Sequence, residues 1–307
     1  MAKYITPAVT PLNADGTINA QGARKLYDHL IQGGVDGILV LGSIGEFFAL
    51  TMEQKKQLIS LAVKAVDHRV QLIIGTADTV IENVIELSNY ALDEGADAVI
   101  VVPPYYFWLN EQSLEAYYDT LAKEIHGKLY IYNFPDRTGY QIPVDVIKCL
   151  ALRHENIVGC KDTISGMDHT REMIKAVKPF RPDFEIFSGF DDNFAHNVIS
   201  GGDGCIGGLS NLAPEVCSAW VTAFELGDMQ AVSKIQQKID RMMSIYGVGM
   251  PFVPFIKRAM ELRGIGVGSA ATMPLPSATQ ADDEKLLAIM NSEGLVELNC
   301  IEKRHRP

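Results

Sequence analysis

Short apolar runs recur along the chain, each introduced by a glycine and a tight turn. Gly34-Val35-Asp36-Gly37 leads into Ile38-Leu39-Val40-Leu41, Gly95-Ala96-Asp97-Ala98 into Val99-Ile100-Val101-Val102, and Gly202-Asp203-Gly204 into Cys205-Ile206. A glycine suited to ending a helix, then a turn, then a short apolar run marks a helix-to-strand connection. The runs lack period-two alternation, as expected of strands buried on both faces in a parallel sheet. Strands are predicted near 5–9, 37–42, 70–75, 98–103, 128–134, 157–162, 184–189 and 204–208. Amphipathic helical patterns lie between them. Residues 20–32 follow Asn19, and residues 52–66 follow Thr51, with Gln54 placed to complete a capping box. Further helices are predicted over 79–94, 111–125, 143–153, 168–178, 191–200 and 213–226.

Eight β/α units within residues 1–227 predict an α/β chain folded as a (β/α)8 TIM barrel. An open, doubly wound sheet would need a glycine-rich phosphate loop after the first strand, and Pro7-Ala8-Val9-Thr10-Pro11 is not one. Past Gly227 the strand signals stop. Residues 228–245, 252–263 and 281–293 read as helices, joined by a Gly/Pro/Ser/Thr-rich connector from Gly264 to Thr279. Residues 228–307 therefore form a C-terminal helical extension that packs on the barrel or on another subunit.

Composition narrows the function classes. The 307 residues suffice for a sizeable core, and 47% hydrophobic with 21% charged residues is ordinary globular composition. A net charge of −11 argues against nucleic-acid or anionic-membrane partners, although a local site can still be positive on an acidic protein. The five cysteines (Cys149, Cys160, Cys205, Cys217 and Cys300) are scattered without CxxC spacing, which suits reduced thiols in a cytoplasmic protein and offers no zinc pattern. The N-terminal residues lack an apolar signal-peptide core. No run approaches the 18 or so apolar residues of a membrane span.

In a barrel of this kind chemistry sits where the strands end. Ile157-Val158-Gly159-Cys160-Lys161 reads as a buried strand ending in a lysine. Burial disfavours the charged form of an amine, and a neutral amine attacks carbonyl carbon to give a Schiff base. The alternative is a snorkelling lysine whose ammonium reaches solvent. Gly42-Ser43-Ile44-Gly45-Glu46 follows strand two, where glycines let backbone approach a ligand and amides beside a hydroxyl make an anion site; a plain tight turn fits equally well. Tyr106 follows strand four, Tyr132 lies in strand five, and Gly189 closes strand seven. A phenol near a lysine and a hydroxyl can pass protons to and from a carbonyl adduct. Arg137 could hold a carboxylate in its planar fork or form a surface ion pair.

Together, Gly42-Ser43-Ile44-Gly45-Glu46, Tyr105-Tyr106, Tyr132-Asn133-Phe134-Pro135, Gly159-Cys160-Lys161-Asp162 and Gly202-Asp203-Gly204-Cys205-Ile206 resemble the dihydrodipicolinate synthase / N-acetylneuraminate lyase superfamily. The resemblance implies a class I, Schiff-base-forming enzyme that needs neither metal nor separate cofactor and takes pyruvate with a small aldehyde or 2-keto acid. Lys161 would carry the imine and Tyr132 would transfer protons, assisted by Ser43 and by a Tyr106 that in homologues can come from a neighbouring subunit. The amides of Ser43 and Ile44 would hold the pyruvate carboxylate, and Gly45, Ile206, Gly189 and Arg137 would line the rest of the substrate site. A homotetramer built from two tight dimers is expected.

Two departures bear on substrate. Synthases of this superfamily usually carry adjacent threonines where this chain has Ser43-Ile44, and polar residues where it has Phe107-Trp108. Glu46-Phe47, Lys161-Asp162-Thr163-Ile164, Phe190-Asp191-Asp192, Pro251-Phe252-Val253 and Ile256-Lys257 look more like the 2-keto-3-deoxy sugar acid aldolases. Arg137-Thr138-Gly139 is the synthase-like form. The expected reaction is therefore retro-aldol cleavage of a 2-keto-3-deoxy sugar acid to pyruvate and an aldehyde. The alternative is a 4-hydroxy-tetrahydrodipicolinate synthase condensing pyruvate with aspartate semialdehyde; N-acetylneuraminate lyase and keto-deoxy acid dehydratase stand below both.

Overall fold

The computed structural model describes residues 1–296, so Cys300 and His305 lie outside the described residues. Eight parallel strands pair in chain order: β1 (Lys3–Pro7), β2 (Gly37–Val40), β3 (Gln71–Gly75), β4 (Ala98–Val101), β5 (Leu129–Asn133), β6 (Ile157–Asp162), β7 (Glu185–Ser188) and β8 (Gly204–Ile206). β1 also pairs with β8, through Ile5 and Ile206 among others, and closes the barrel. The expected (β/α)8 architecture is the one observed.

The outer layer is α1 (Ala20–Gln32), α2 (Met52–Val66), α3 (Ile81–Glu94), α4 (Glu111–Glu124), a short α5 (Pro135–Thr138), α6 (Val144–Arg153), α7 (Asp168–Val177), α8 (Phe194–Ile199) and α9 (Pro214–Glu225). Beyond it follow α10 (Met229–Met242), α11 (Val253–Arg263) and α12 (Gln280–Ser292). Local chemistry sets several of the boundaries. Asn19 caps α1 through Gly22 N, and Thr51 and Gln54 form a reciprocal capping box at α2. Gly95 closes α3 at φ +115°, a backbone conformation that side chains disfavour. The strands are buried almost throughout, because helices cover the outer face and side chains fill the lumen.

Where the elements differ from expectation, tertiary contacts explain it. The first strand ends at Pro7 rather than residue 9, because the Asn211 side chain takes over the ladder: it accepts from Val9 N at 3.1 Å and donates to Pro7 O at 2.8 Å. The predicted helix over 191–200 opens as a 3-10 turn, Asp191–Asn193, before α8. The last strand stops at Ile206 and gives way to a 3-10 turn, Gly208–Asn211. Helix α5 was not anticipated; four residues are too few to show a helical period. Cys149, Cys160, Cys205 and Cys217 are free thiols. Among the described residues no helix is long and apolar enough to cross a membrane.

Candidate active site

Register places the amine and the phenol together. Tyr132 of β5 pairs with Lys161 of β6, and Asn133 pairs with Asp162 one residue on. Side chains alternate across a strand, so the two pairs face opposite sides of the sheet. Lys161 and Tyr132 meet at the carboxyl end of the barrel, with Nζ 4.4 Å from the centroid of the phenol ring. Each is only 4% exposed. The Tyr132 ring in turn stacks on Phe134 at 5.8 Å between centroids.

A cavity of about 230 Å³ opens over this pair. Pro7, Ser43 and Ile44 form one side, and Phe134, Asp136 and Arg137 the rim after β5. Thr163, Gly189, Phe190, Asp191, Ile206 and Gly208 follow the ends of β6, β7 and β8. Met243, Tyr246, Met250 and Phe252, from the connection between α10 and α11, complete the wall. Ser43–Gly45 forms a single tight 3-10 turn, and among the described residues neither the Ser43 nor the Ile44 N–H has a protein acceptor. Arg137 is exposed at the rim, its guanidinium carbon 5.3 Å from the Phe134 ring centroid.

The cavity thus gathers Lys161, Tyr132, Ser43, Ile44, Arg137, Gly189 and Ile206. Gly45 stands behind the wall, its carbonyl accepting from Thr10 Oγ1 at 2.6 Å. Tyr106 lies outside the cavity of its own chain and is 84% exposed.

Besides Asp136 at the rim, three polar residues at the cavity were given no role in the site from sequence: Thr163, Asp191 and Tyr246. Thr163 lines it with a buried hydroxyl that has no partner among the described residues. Gly189 is needed beside it: a Cβ there would fall 1.7 Å from Thr163 Oγ1. Asp191 is buried and accepts from Tyr4 Oη at 2.5 Å, Tyr246 Oη at 2.8 Å, Leu209 N at 2.9 Å and Gly208 N at 3.2 Å. Burial pushes its carboxyl above the usual range, against the pull of the two phenol hydrogen bonds. Thr163 and Asp191 stand just past strand ends, which was the available signal. Tyr246 belongs to the tail, where nothing in the local pattern pointed to the barrel mouth.

On the outer face of β6, Asp162 accepts from Asn133 Nδ2 at 2.7 Å and Thr170 Oγ1 at 2.6 Å, and lies 2.9 Å from His169 Nδ1. His169 Nε2 reaches Ile142 O at 2.9 Å. Burial disfavours charge on this imidazole, but the hydrogen bond and charge of Asp162 outweigh it, and the pKa of His169 is raised. Acceptors at both ring nitrogens fit the doubly protonated form.

The sequence model of the Dihydrodipicolinate synthetase family matches residues 1–293. The chain belongs to this family. Among its relatives in the family, Escherichia coli YagE, a candidate 2-dehydro-3-deoxy-D-gluconate aldolase, is 37% identical over 92% of this chain and 92% of its own. E. coli YjhH, a candidate 2-dehydro-3-deoxy-D-pentonate aldolase, is 34% identical over 95% of this chain and 97% of its own. A 4-hydroxy-tetrahydrodipicolinate synthase from Kosmotoga olearia is 35% identical over 94% and 97%. The crystal structure of YagE in complex with pyruvate superposes with a TM-score of 0.94, covering 96% of this chain and 99% of that one at 34% identity. Dihydrodipicolinate synthase from Aquifex aeolicus reaches 0.90 at 27% identity, over 96% and 99%. Family and relatives indicate a lyase of the aldolase type, and they divide between sugar-acid aldolases and synthases.

Proposed function

We propose that this protein is a class I pyruvate lyase that cleaves a 2-keto-3-deoxy sugar acid to pyruvate and an aldehyde. The observation that carries the reading is the buried Lys161 amine, 4.4 Å from the Tyr132 ring centroid on the floor of the cavity at the carboxyl ends of the strands. Lys161 Nζ condenses with the keto carbon of the substrate, water leaves, and the protonated imine becomes an electron sink. The Tyr132 oxygen accepts the C4 hydroxyl proton and passes its own along Ser43 and a neighbouring subunit's Tyr106. The C3–C4 bond breaks, the aldehyde departs, and the C3–C4 electron pair remains as an enamine. Protonation at C3 and hydrolysis release pyruvate and regenerate the amine. The Ser43–Ile44 turn holds the carboxylate, with Gly189 and Ile206 beside the carbon skeleton. The imine is the only covalent carrier and no further cofactor takes part. The working unit is a cytoplasmic homotetramer.

The aldolase reading is favoured by the YagE and YjhH relatives and by Ile44, whose apolar side chain stands where the synthases place a hydroxyl. Arg137 at the rim favours the synthase as the second reading, because its guanidinium, which has no carboxylate partner among the described residues, suits the carboxylate of aspartate semialdehyde. Pyruvate and borohydride should give a reduced adduct mapped by mass to Lys161, absent from Lys161→Ala. A screen of 2-keto-3-deoxy acids, N-acetylneuraminate and aspartate semialdehyde should then show pyruvate release from a sugar acid. An adduct elsewhere would sink the mechanism, and turnover with aspartate semialdehyde alone would move the assignment to the synthase.

A further inference from the structure

The Ser43–Gly45 turn is braced from behind by the C-terminal extension. Glu46 follows the turn at φ 59°, ψ 30°, a left-handed conformation that non-glycine residues adopt only when their surroundings over-determine it. The determinants are buried and polar. Lys257 of α11 and Glu46 both have wholly buried side chains, with Nζ 2.5 Å from Oε1. Glu46 Oε2 accepts from Thr272 N at 2.7 Å and Thr272 Oγ1 at 2.9 Å, and Lys257 Nζ also donates to Ala270 O at 2.6 Å. Both carboxylate oxygens are thus committed to residues more than two hundred positions away, while Ser43 and Ile44, three and two residues before Glu46, face the cavity.

Stability alone is a poor reason for this arrangement. Burying an ion pair costs desolvation that apolar residues of similar volume would avoid, and such replacements are often neutral or stabilising. What an apolar contact would not supply is direction. A bifurcated set of charge-assisted bonds fixes the carboxylate, and so the backbone leading into it, to within tenths of an ångström.

We propose that Glu46 and Lys257 are positioning residues for carboxylate recognition: their buried pair sets the Ser43–Ile44 turn at the distance from Lys161 that a 2-keto acid spans. Neither touches substrate. The inference rests on the Schiff-base reading given above, and it gives the extension a part in the active site.

A role in carboxylate recognition separates from a general structural role by comparing two carbonyl compounds. Pyruvate carries the carboxylate; hydroxyacetone offers a ketone to the same amine without one. Borohydride trapping at Lys161 is measured against the concentration of each, in the wild type, in Lys257→Met, and in Glu46→Gln/Lys257→Met. The double variant strands no charge and guards against simple misfolding of the single one. In both variants the half-saturating pyruvate concentration should rise roughly tenfold or more, the scale of a displaced charge-assisted contact. Hydroxyacetone trapping should stay within about twofold of wild type, since the amine itself is undisturbed. An equal loss for the two compounds, unchanged pyruvate saturation, or failure of both variants to fold would overturn the proposal. A wild type that forms no pyruvate adduct sinks the Schiff-base reading and this inference with it; a wild-type adduct with unaltered variants sinks this inference alone.

Discussion

Lys161 and Tyr132 share the cavity floor because they are register partners on adjacent strands, and that pairing makes their roles separable. The amine needs a carbonyl carbon within reach; the phenol needs a proton to move. Replacing Tyr132 with phenylalanine keeps the aromatic face against Nζ and its stack on Phe134, and removes only the oxygen. Imine formation with pyruvate, read by borohydride trapping, should therefore persist near the wild-type level. Cleavage of the sugar-acid substrate, read in single turnover, should slow by roughly 10²- to 10⁴-fold, the usual contribution of a positioned proton-transfer group. Equal loss of trapping and cleavage would show that the hydroxyl is already needed for imine formation, and the two roles would not separate. Lys161, Tyr132 and Ser43 were legible in the sequence because reactive side chains stood at the carboxyl ends of apolar runs. Asp191 and Tyr246 were not, since their meaning depends on a hydrogen bond between a β7 loop and a tail residue 55 positions apart.

At the scale of elements, the turn-and-strand punctuation made the barrel readable, because strands buried on both faces leave continuous apolar runs. Its limits are physical too. The end of β1 is set by the side-chain amide of Asn211, which is adjacent in space but about two hundred residues away in sequence, just past β8, and α5 is too short to show a helical period. The outer face of β6 shows how elements are locked once placed: Asp162 ties β6 to β5 through Asn133 and to α7 through His169 and Thr170. The raised pKa of His169 gives that lock a pH dependence with a definite sign. A histidine whose folded pKa exceeds its unfolded value of about 6.5 contributes stability that is complete below that value and is lost as pH rises through the folded one. His169→Gln should therefore cost more at about pH 5.5 than at about pH 9, with a loss of roughly 1–3 kcal/mol on the acid side for an abandoned buried hydrogen bond. Thermal unfolding of both proteins across that range checks it. A penalty that grows toward alkaline pH would remove the imidazolium from the lock.

At the scale of the whole molecule, one chain exposes a loop it has no evident use for alone. Tyr106, Phe107 and Trp108 are 84%, 75% and 71% exposed, and Phe48 lies half-exposed on a neighbouring turn. Exposed aromatic residues concentrated in this way mark interaction surfaces. The proposed proton relay needs Tyr106, which stands outside the cavity of its own chain. Both facts are met if two copies pack across these loops, each lending its tyrosine to the other's cavity, in the two-fold arrangement that makes such an exchange reciprocal. Mixing two inactive proteins tests this. Lys161→Ala lacks the amine, and Tyr106→Phe lacks the lent hydroxyl. In a hybrid pair, the chain that keeps Lys161 receives an intact Tyr106 from the other, so one of the two sites is complete. With random pairing from equal amounts, half the pairs are hybrids and about a quarter of all sites should recover activity. If Tyr106 instead serves its own chain, the hybrid holds one site without the amine and one without the hydroxyl, and co-expression restores nothing. Activity that reappears only when the two variants share an assembly would make the pair of chains, not the barrel, the catalytic unit.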